Sequence, residues 1–420
     1  MAETFFTCSH LISFKEAPLR RQNALIQFSE PSTFGVREKN KAMRRITTLL
    51  ITVGFAATLF AQAPPVRGSW KVVPSPNGGN QADGNVLLAT AAISSTDTWA
   101  VGAEPNPNQY LTTTLAEHWD GHRWSIVPTP TISAPTVQLN SVVALNRGNV
   151  WAAGYSDNPN CLCGQTVVEH WNGSRWTRLT TPNPGVADYL TGIAATSATD
   201  VWVVGYEWIS NFVELPLLLH YNGTTWKQFN TSQFHFGQLS SVFARAADDV
   251  WAVGWTGQVP NVKALALHWN GTSWKRAAFP TESGGWIVLK NVFGVAGNDV
   301  WAVGSYQFSD INGLSLRARS YHWNGSVWSP VTVGLSGYSY LDSITAKATD
   351  DVWAVGEGIV FPFLNELQVT FHWNGSVWSN VSNPDQGVLY GVSASSTSDV
   401  WAVGAGFVSP GTYTIRYGVP

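Results

Sequence analysis

The feature that most constrains this chain is a six-residue string, D-V-W-A-V-G, that returns about every 50 residues. Its tryptophan occurs seven times, at intervals of 48 to 52 residues, namely at Trp99, Trp151, Trp202, Trp251, Trp301, Trp353 and Trp401. A second string, H-W-N-G-S-x-W, follows each of the first six copies. Self-similarity at a fixed period of this length indicates a repeat architecture in which each copy is one supersecondary unit.

Spacings inside the unit indicate which parts are rigid. A leucine lies 12 residues before the tryptophan in all seven copies, and the second tryptophan of the second string lies five residues after its first aromatic residue in all six copies. Lengths vary elsewhere, as in the stretch from the glycine to the next histidine, which has 13 to 17 residues. We therefore expect two hairpins of constant length in each copy, joined by a connection that tolerates insertions.

Each copy is interpreted as four short antiparallel strands. The first starts at the leucine, V-W-A-V-G is a buried second strand, H-W ends the third, and Asn-Gly turns the chain into the fourth. We expect both turn residues to have positive φ, as in a two-residue hairpin loop. Seven such units predict an all-β, seven-bladed β-propeller of four-stranded blades.

The two ends of the repeat region complement each other. The last copy contains two strands and a degenerate third strand that ends near Gly418, whereas Gly68–Val73 matches a fourth strand that has no partners of its own. We expect the N-terminal strand to close the last blade, which would remove an exposed sheet edge.

The unit resembles a divergent kelch-like repeat of the galactose-oxidase type. The shared features, over about residues 68–420, are an apolar strand ending in glycine, an aromatic residue, a short turn, a tryptophan and a proline-containing connector. One glycine (Gly154, Gly205 or Gly254, for example) stands where kelch repeats have two. Six of the nine histidines belong to the repeat, so we do not transfer the copper chemistry of that family and expect no metal and no cofactor.

Three segments are predicted along the chain. Residues 64–420 form the propeller, and residues 43–63 have the layout of a secretory signal peptide, with Arg44 and Arg45, an apolar run and the small-residue site Ala61-Gln62-Ala63. A membrane anchor is the alternative, but the run of about 15 apolar residues is short for a span. Residues 1–42 are interpreted as an upstream extension from a misplaced start or as a disordered leader. We expect a secreted or periplasmic monomer with no membrane span after cleavage.

The recurrent polar and aromatic residues are interpreted as structural. The tryptophans would fill the wedges between blades, because a blade packs on both faces and each indole buries about 150–250 Å². The acidic residue before V-W is replaced by Asn149 in one copy, which favours turn capping over acid–base chemistry. Asn-Gly-Ser/Thr also matches a glycosylation sequon in five copies, but the turn explains all five.

Candidate binding residues lie in the connections between strands 2 and 3 and between strands 4 and 1, which emerge on one face of a propeller. We call this the variable face, and the face with the 1–2 and 3–4 turns the repetitive face. Aromatic residues collect in the variable connections, and the candidates are Tyr110, Tyr155, Tyr206, Trp208, Trp255, Trp286, Tyr306, Tyr338, Tyr340 and Phe361. Such rings suit stacking on sugars or contact with an apolar protein patch.

Two cysteines, Cys161 and Cys163, lie in one of these connections. A disulfide, two free thiols and a two-thiolate metal site all remain open, although a C-x-C bridge closes a small ring.

These features favour a non-enzymatic, exported binding or scaffold protein that recognises a protein or carbohydrate partner through the variable face. The alternative is a propeller enzyme acting on glycans, like a sialidase or a lyase, although no spacing singles out a pair of carboxylates. The chain has 24 basic and 27 acidic residues, for a formal charge of −3, so a nucleic-acid partner is not expected.

Overall fold

The computed structural model describes residues 68–78, 84–105, 112–158, 161, 163–210, 213–259, 261–310, 313–335, 337–360, 365–407 and 411–418. The predicted leader and signal peptide, residues 1–42 and 43–63, lie outside these ranges. In the described chain the secondary structure is entirely β, and 28 strands form seven four-stranded antiparallel sheets. The prediction of a seven-bladed propeller is confirmed.

Blades 1 to 6 use their strands in chain order, and blade 7 has the order β26, β27, β28 and β1. Blades 1 to 3 consist of β2 (Val86–Ser94), β3 (Asp97–Pro105), β4 (Thr112–Trp119) and β5 (Trp124–Ile126); β6 (Thr136–Asn146), β7 (Asn149–Asp157), β8 (Gln165–Trp171) and β9 (Trp176–Leu179); and β10 (Ala187–Ser197), β11 (Asp200–Ser210), β12 (Val213–Tyr221) and β13 (Trp226–Gln228). Blades 4 and 5 consist of β14 (Gly237–Ala246), β15 (Asp249–Thr256), β16 (Lys263–Trp269) and β17 (Trp274–Arg276); and β18 (Gly285–Ala296), β19 (Asp299–Asp310), β20 (Gly313–Trp323) and β21 (Trp328–Val331). Blades 6 and 7 consist of β22 (Tyr338–Ala348), β23 (Asp351–Val360), β24 (Asn365–Trp373) and β25 (Trp378–Asn380); and β26 (Gly387–Ser396), β27 (Asp399–Gly406), β28 (Gly411–Gly418) and β1 (Ser69–Val72).

Blade 7 is closed by the two ends of the repeat region. Strand β1 pairs with β28 so that Trp70 faces Tyr417 and Lys71 faces Arg416. The Gly68 amide donates a hydrogen bond of 2.7 Å to the Tyr417 hydroxyl. The N-terminal strand therefore completes the ring as the sequence predicts.

The strand-two glycine is required by a bulge in strand one. In blade 2 the register shifts between Leu139 and Ser141, and the strand-one backbone then approaches Gly154 closely. A Cβ on Gly154 would lie 1.9 Å from the Gln138 carbonyl oxygen, so a side chain cannot fit there. The same clash occurs at the corresponding glycine of the other blades, which explains why this glycine and the leucine always occur together.

The strand-two tryptophans form the wedges between blades. All seven are 2% exposed or less. Trp251 of blade 4, for example, meets Trp328 of blade 5 edge to face, with ring centroids 5.3 Å apart, and Trp323 at 5.1 Å. At the closure Trp353 meets Trp70 in the same geometry at 5.5 Å. Edge-to-face pairs of this kind add to the apolar area that each ring buries.

The first tryptophan of the second string has a different role from the one predicted. Trp171, Trp269 and Trp323 are only half-buried. Their Nε1 groups donate to main-chain carbonyls of the 1–2 turn in the same blade, as Trp269 does to Ala247 at 3.1 Å. These rings cover the repetitive face, so the prediction that every repeat tryptophan is core holds only in part.

The repeat histidine and the acidic residue form a pair that the turn-cap interpretation did not include. In five blades the histidine Nε2 lies 2.7–2.8 Å from an aspartate oxygen, and in blade 2 His170 bonds to Asn149 at 2.9 Å. Each of these six imidazoles also packs on the strand-two tryptophan, at 4.0–4.6 Å. In blade 7, Arg416 replaces the histidine and bonds to Asp399 at 2.6 Å. The acidic residue thus fixes strand three to strand two.

The Asn-Gly turns are four-residue loops, and the expectation of positive φ at both residues is wrong at the asparagine. Trp171 pairs with Trp176, which leaves Asn172–Arg175 as the loop. Gly173 has a φ of 91°, whereas no asparagine among the described residues has positive φ. The Asn172 side chain instead accepts the amides of Ser174 and Arg175, and this cap stabilises the turn.

Candidate functional site

Three aromatic rings meet on the variable face between blades 2 and 3. Tyr189 stacks on Tyr206, with centroids 4.9 Å apart, and meets the edge of Tyr155 at 5.0 Å. Its hydroxyl donates to Asp157 at 3.1 Å. Tyr189 is buried, whereas Tyr155 and Tyr206 are half-buried, so the two predicted binding tyrosines of this group present only part of their surface.

The cysteine-containing connection lies beside this group. The sulfur atoms of Cys161 and Cys163 are bonded in the structure. The following residue, Gly164, packs against the Tyr189 ring and accepts a hydrogen bond of 2.9 Å from the Asp188 amide. The bonded loop therefore sits directly on the aromatic group.

A second group on the variable face belongs to blade 5. Tyr306 stacks on Phe308 at 5.4 Å, and the guanidinium groups of Arg319 and Arg317 lie over the two rings at 5.1 and 4.7 Å. Tyr306 is 7% exposed and donates its hydroxyl to the Ser283 carbonyl. It therefore packs in the interface between blades and does not offer a ring to solvent, unlike the prediction for this residue.

Charges in this second group differ in their pairing. Arg319 makes two hydrogen bonds to Glu282, at 2.8 and 2.7 Å, and Tyr321 donates a third at 2.9 Å. These hydrogen bonds, with that from Arg319 first, hold the pKa of Glu282 below its usual value against the opposing effect of burial. Among the described residues no carboxylate lies within hydrogen-bonding distance of the exposed Arg317 guanidinium. This arginine is available for a planar, anionic partner.

A groove opens next to this group, between blades 4 and 5. Its volume is about 480 Å³, and residues 261–264, 276–282 and 285–287 line it. The lining therefore comes from the 2–3 and 4–1 connections that define the variable face and from the adjoining ends of β16, β17 and β18. It includes the predicted residue Trp286 and the charged residue Glu282.

The other predicted aromatic residues are spread around the ring. Trp208, Trp255, Trp286, Tyr338 and Tyr340 are all half-buried. Trp286 donates its Nε1 to the Gln307 side chain at 3.1 Å, and Tyr340 donates its hydroxyl to Glu357 at 2.6 Å. Tyr110 and Phe361 lie outside the described residues. The structure thus brings together the tyrosines of blades 2 and 3, and it places the tryptophans in separate blades.

Carboxyl groups pair in a way that sequence spacing did not show. Asp188 and Glu207 face each other across β10 and β11, and both are buried. Burial raises the pKa of Asp188 to about 6, and burial together with the Asp188 charge raises the pKa of Glu207 to about 7. In blade 6 burial raises the pKa of Asp342 to about 7, despite the opposing Lys290 charge.

Two further buried carboxyls escaped the sequence reasoning. Glu117 and Glu169 are fully buried, and burial raises the pKa of each to about 8. Neither carboxylate oxygen of Glu169 has a hydrogen-bond partner among the described residues. The signal was present in the strings, because a glutamate precedes H-W only in blades 1 and 2, where blades 3 and 4 have leucine.

Metal-binding groups and membrane-spanning helices were sought in the part of the chain that the structure describes. There, no three His, Cys, Asp or Glu side chains group closely enough to hold a metal ion. The same ranges contain no helix with the length and apolar character that crossing a membrane requires.

The similarity of this chain to known proteins is limited to the fold. No protein-family model and no curated protein matches the chain. A solved structure of YCF48 bound to D1 peptide has a TM-score of 0.53 at 15% identity, over 84% of this chain and 97% of that one. A polysaccharide lyase, the PL25 ulvan lyase bound to -[GlcA(1-4)Rha3S]-, has a TM-score of 0.55 at 11% identity, over 82% and 95%. The GH74 xyloglucanase of Xanthomonas campestris has 0.55 at 10% identity, over 83% of this chain and 53% of that chain. These likenesses support a β-propeller, and the propellers they include either bind partners or act on glycans.

Proposed function

We propose that this chain is an exported binding or scaffold protein that recognises a protein or carbohydrate partner through its variable face. The observation that carries the proposal is the groove between blades 4 and 5, which residues of the variable connections line and which contains Glu282 and Trp286. The kelch-like character of the repeat and export through residues 43–63 belong to the same proposal and rest on the sequence alone.

The side chains around the groove are suited to binding a ligand. A guanidinium held over an aromatic ring keeps its planar fork directed outwards, where it can hold a carboxylate, sulfate or phosphate by two hydrogen bonds. Arg317 has this arrangement over Phe308 and lies two residues before Arg319, which bonds to the groove residue Glu282. The groove is large enough for one or two sugar rings or a short peptide segment. Structures with the same fold hold a peptide in one case and an anionic saccharide in another, so both classes of partner belong in the test.

The test is a binding screen followed by groove-filling variants. The protein is applied to a glycan array that includes acidic saccharides and to a peptide array. Any ligand is then measured against Ala278→Trp and Thr281→Trp, which add bulk at exposed groove residues without removing a core contact. We expect each variant to weaken binding by at least about tenfold, because the added ring occupies the groove.

The matched control is Val327→Trp, which adds the same ring at an exposed position of a 3–4 turn on the repetitive face. We expect this variant to bind like the parent protein. Blank arrays, or equal loss of binding in all three variants, would contradict the proposal. Trp208→Ala and Trp286→Ala then show which predicted ring contributes.

A glycan-acting enzyme is the second candidate, and the Asp188–Glu207 pair is the observation that favours it. Directly opposed residues of two strands lie about 5 Å apart at Cβ, and glycosidases use two carboxyls about 5–10 Å apart whose pKa values differ. Burial of both side chains counts against access by a polymer. Turnover of a fluorogenic glycoside that Asp188→Asn and Glu207→Gln abolish would establish this function in place of simple binding.

A further inference from the structure

Five hairpin turns on the repetitive face share a chemistry that the proposed function does not use. Each contains an asparagine followed by glycine, and the asparagines are Asn172, Asn222, Asn270, Asn324 and Asn374. All are exposed except Asn374, which is half-buried. We propose that these turns are sites of spontaneous deamidation in the folded protein, and that the fold itself makes them reactive.

The reaction needs a free glycine amide. The glycine nitrogen loses its proton and attacks the asparagine Cγ, a new C–N bond forms, and the side-chain amino group leaves as ammonia. Water then opens the cyclic imide to give aspartate or isoaspartate. In the described residues none of the five glycine amides donates a hydrogen bond, so no protein acceptor has to be given up before the attack.

The turn also activates the carbonyl that is attacked. The Asn172 Oδ1 accepts the amides of Ser174 and Arg175, at 3.0 and 3.1 Å, and the Ser174 hydroxyl at 2.8 Å. The other four asparagines accept the two corresponding amides at 2.8–3.1 Å. Donors fixed on an oxygen that becomes negative in a tetrahedral intermediate lower the barrier.

Blade 1 shows that the product is compatible with the turn. Asp120 occupies the same position, and its carboxylate accepts the amides of His122 and Arg123 at 2.8 and 2.9 Å. These hydrogen bonds lower the pKa of Asp120, so the acid is ionised. Conversion to aspartate in blades 2 to 6 would therefore add negative charge to the repetitive face and keep the turn, whereas isoaspartate would lengthen the backbone and break the cap.

The chain contains an internal control with the same two residues. Asn77 also precedes a glycine, but the Gly78 amide donates 2.8 Å to Asn85 in a buried site. Gly78 itself is buried. If the folded turn determines reactivity, Asn77 should react slowly although its local sequence is the same.

The experiment is to incubate the folded protein at mildly alkaline pH and to follow each site by peptide mapping with mass spectrometry. A parallel sample is held in denaturant. We expect the five turn sites to deamidate at least about tenfold faster than Asn77 in the folded protein and all six sites to react at similar rates when unfolded. Turn sites that react no faster than Asn77, or an ordering that denaturant leaves unchanged, would overturn the proposal.

A variant sharpens the test. Asn85→Ala removes the acceptor of the Gly78 amide and should raise the rate at Asn77 towards that of the turns, with the five turn sites unchanged. An Asn77 that stays slow in this variant while it is folded would contradict the role given to the free glycine amide. Should the variant not fold, the comparison of folded and denatured parent protein still decides the question.

Discussion

The two faces of this propeller are built on different principles. On the repetitive face, each blade repeats the same contacts. An imidazole or guanidinium bonds to the aspartate, or to Asn149 in blade 2, and packs on the strand-two tryptophan. On the variable face, the side-chain contacts differ between blades, with stacked tyrosines between blades 2 and 3 and arginines over aromatic rings in blade 5. Because the first face fixes the scaffold, the second is free to differ from blade to blade.

The largest effect should come from a strand-two tryptophan. Trp251→Ala removes a ring that is 1% exposed and contacts Trp323, Trp328 and His268. We expect the free energy of unfolding to fall by about 3–5 kcal/mol, because the cavity cannot be refilled. Denaturant unfolding monitored by fluorescence and circular dichroism measures this loss. A loss below about 1 kcal/mol would mean that the wedges do not hold the blades together.

The next largest effect concerns a buried carboxyl. Folding raises the pKa of Glu169 from 4.5 to about 8, so its unionised form is favoured in the folded state. The contribution of this protonated side chain to the free energy of unfolding is therefore complete below pH 4.5 and is lost as the pH rises towards 8. We expect Glu169→Leu, the residue of blades 3 and 4 at this position, to flatten the pH dependence of stability by a slope approaching about 1.4 kcal/mol per pH unit.

The measurement for Glu169 is urea unfolding at several pH values between 5 and 8, and Glu169→Gln is the control that retains a polar group. Leucine should stabilise the protein most at pH 8. An unchanged slope would show that Glu169 is not buried in an unionised form.

A smaller effect is expected at the acidic partner of a repeat histidine. Asp299 accepts His322 at 2.8 Å and the Trp301 Nε1 at 3.1 Å. Asp299→Ala leaves both donors unpaired and should cost about 1–3 kcal/mol. Asp299→Asn should cost less, because Asn149 accepts the same two donors in blade 2 at 2.9 and 2.8 Å. Thermal unfolding measures the stability lost in each variant. Equal losses would mean that an asparagine cannot replace Asp299 as Asn149 does in blade 2.

The smallest effect on stability should occur on the variable face. Trp286→Ala removes a half-buried ring whose one hydrogen bond is to Gln307. We expect a change in the free energy of unfolding below about 1 kcal/mol, measured as for Trp251→Ala. A loss as large as that of Trp251→Ala would place Trp286 among the scaffold residues and remove it from the binding candidates.

Periodicity explains which features could be predicted from the sequence. The leucine of strand one, the strand-two glycine and the tryptophan recur together, so blade number and ring closure follow from their spacing. The partner of the repeat histidine did not follow, because His322 and Asp299 are 23 residues apart and no local rule joins them. The bulge behind Gly154 was also hidden, since it depends on a close backbone approach.

The candidate site was predicted less well, for the same physical reason. The burial of Tyr306 and the stacking of Tyr189 on Tyr206 depend on how connections of unequal length fold over neighbouring blades. Arg317 was not a candidate, because a single arginine gains its significance only from its surroundings, here the Phe308 ring beneath it. Aromatic composition alone could not show which rings on the variable face are exposed.

Hydrogen–deuterium exchange measured over the whole ring tests the division between the faces most directly. We expect the seven D-V-W-A-V-G segments to show the slowest exchange and to resemble one another, including Asp399–Gly406 in blade 7, which the N-terminal strand β1 closes. Connections on the variable face should exchange faster and gain protection when a ligand binds. Fast exchange confined to one D-V-W-A-V-G segment, or ligand protection confined to the 1–2 and 3–4 turns, would contradict the assignment of scaffold and recognition to opposite faces.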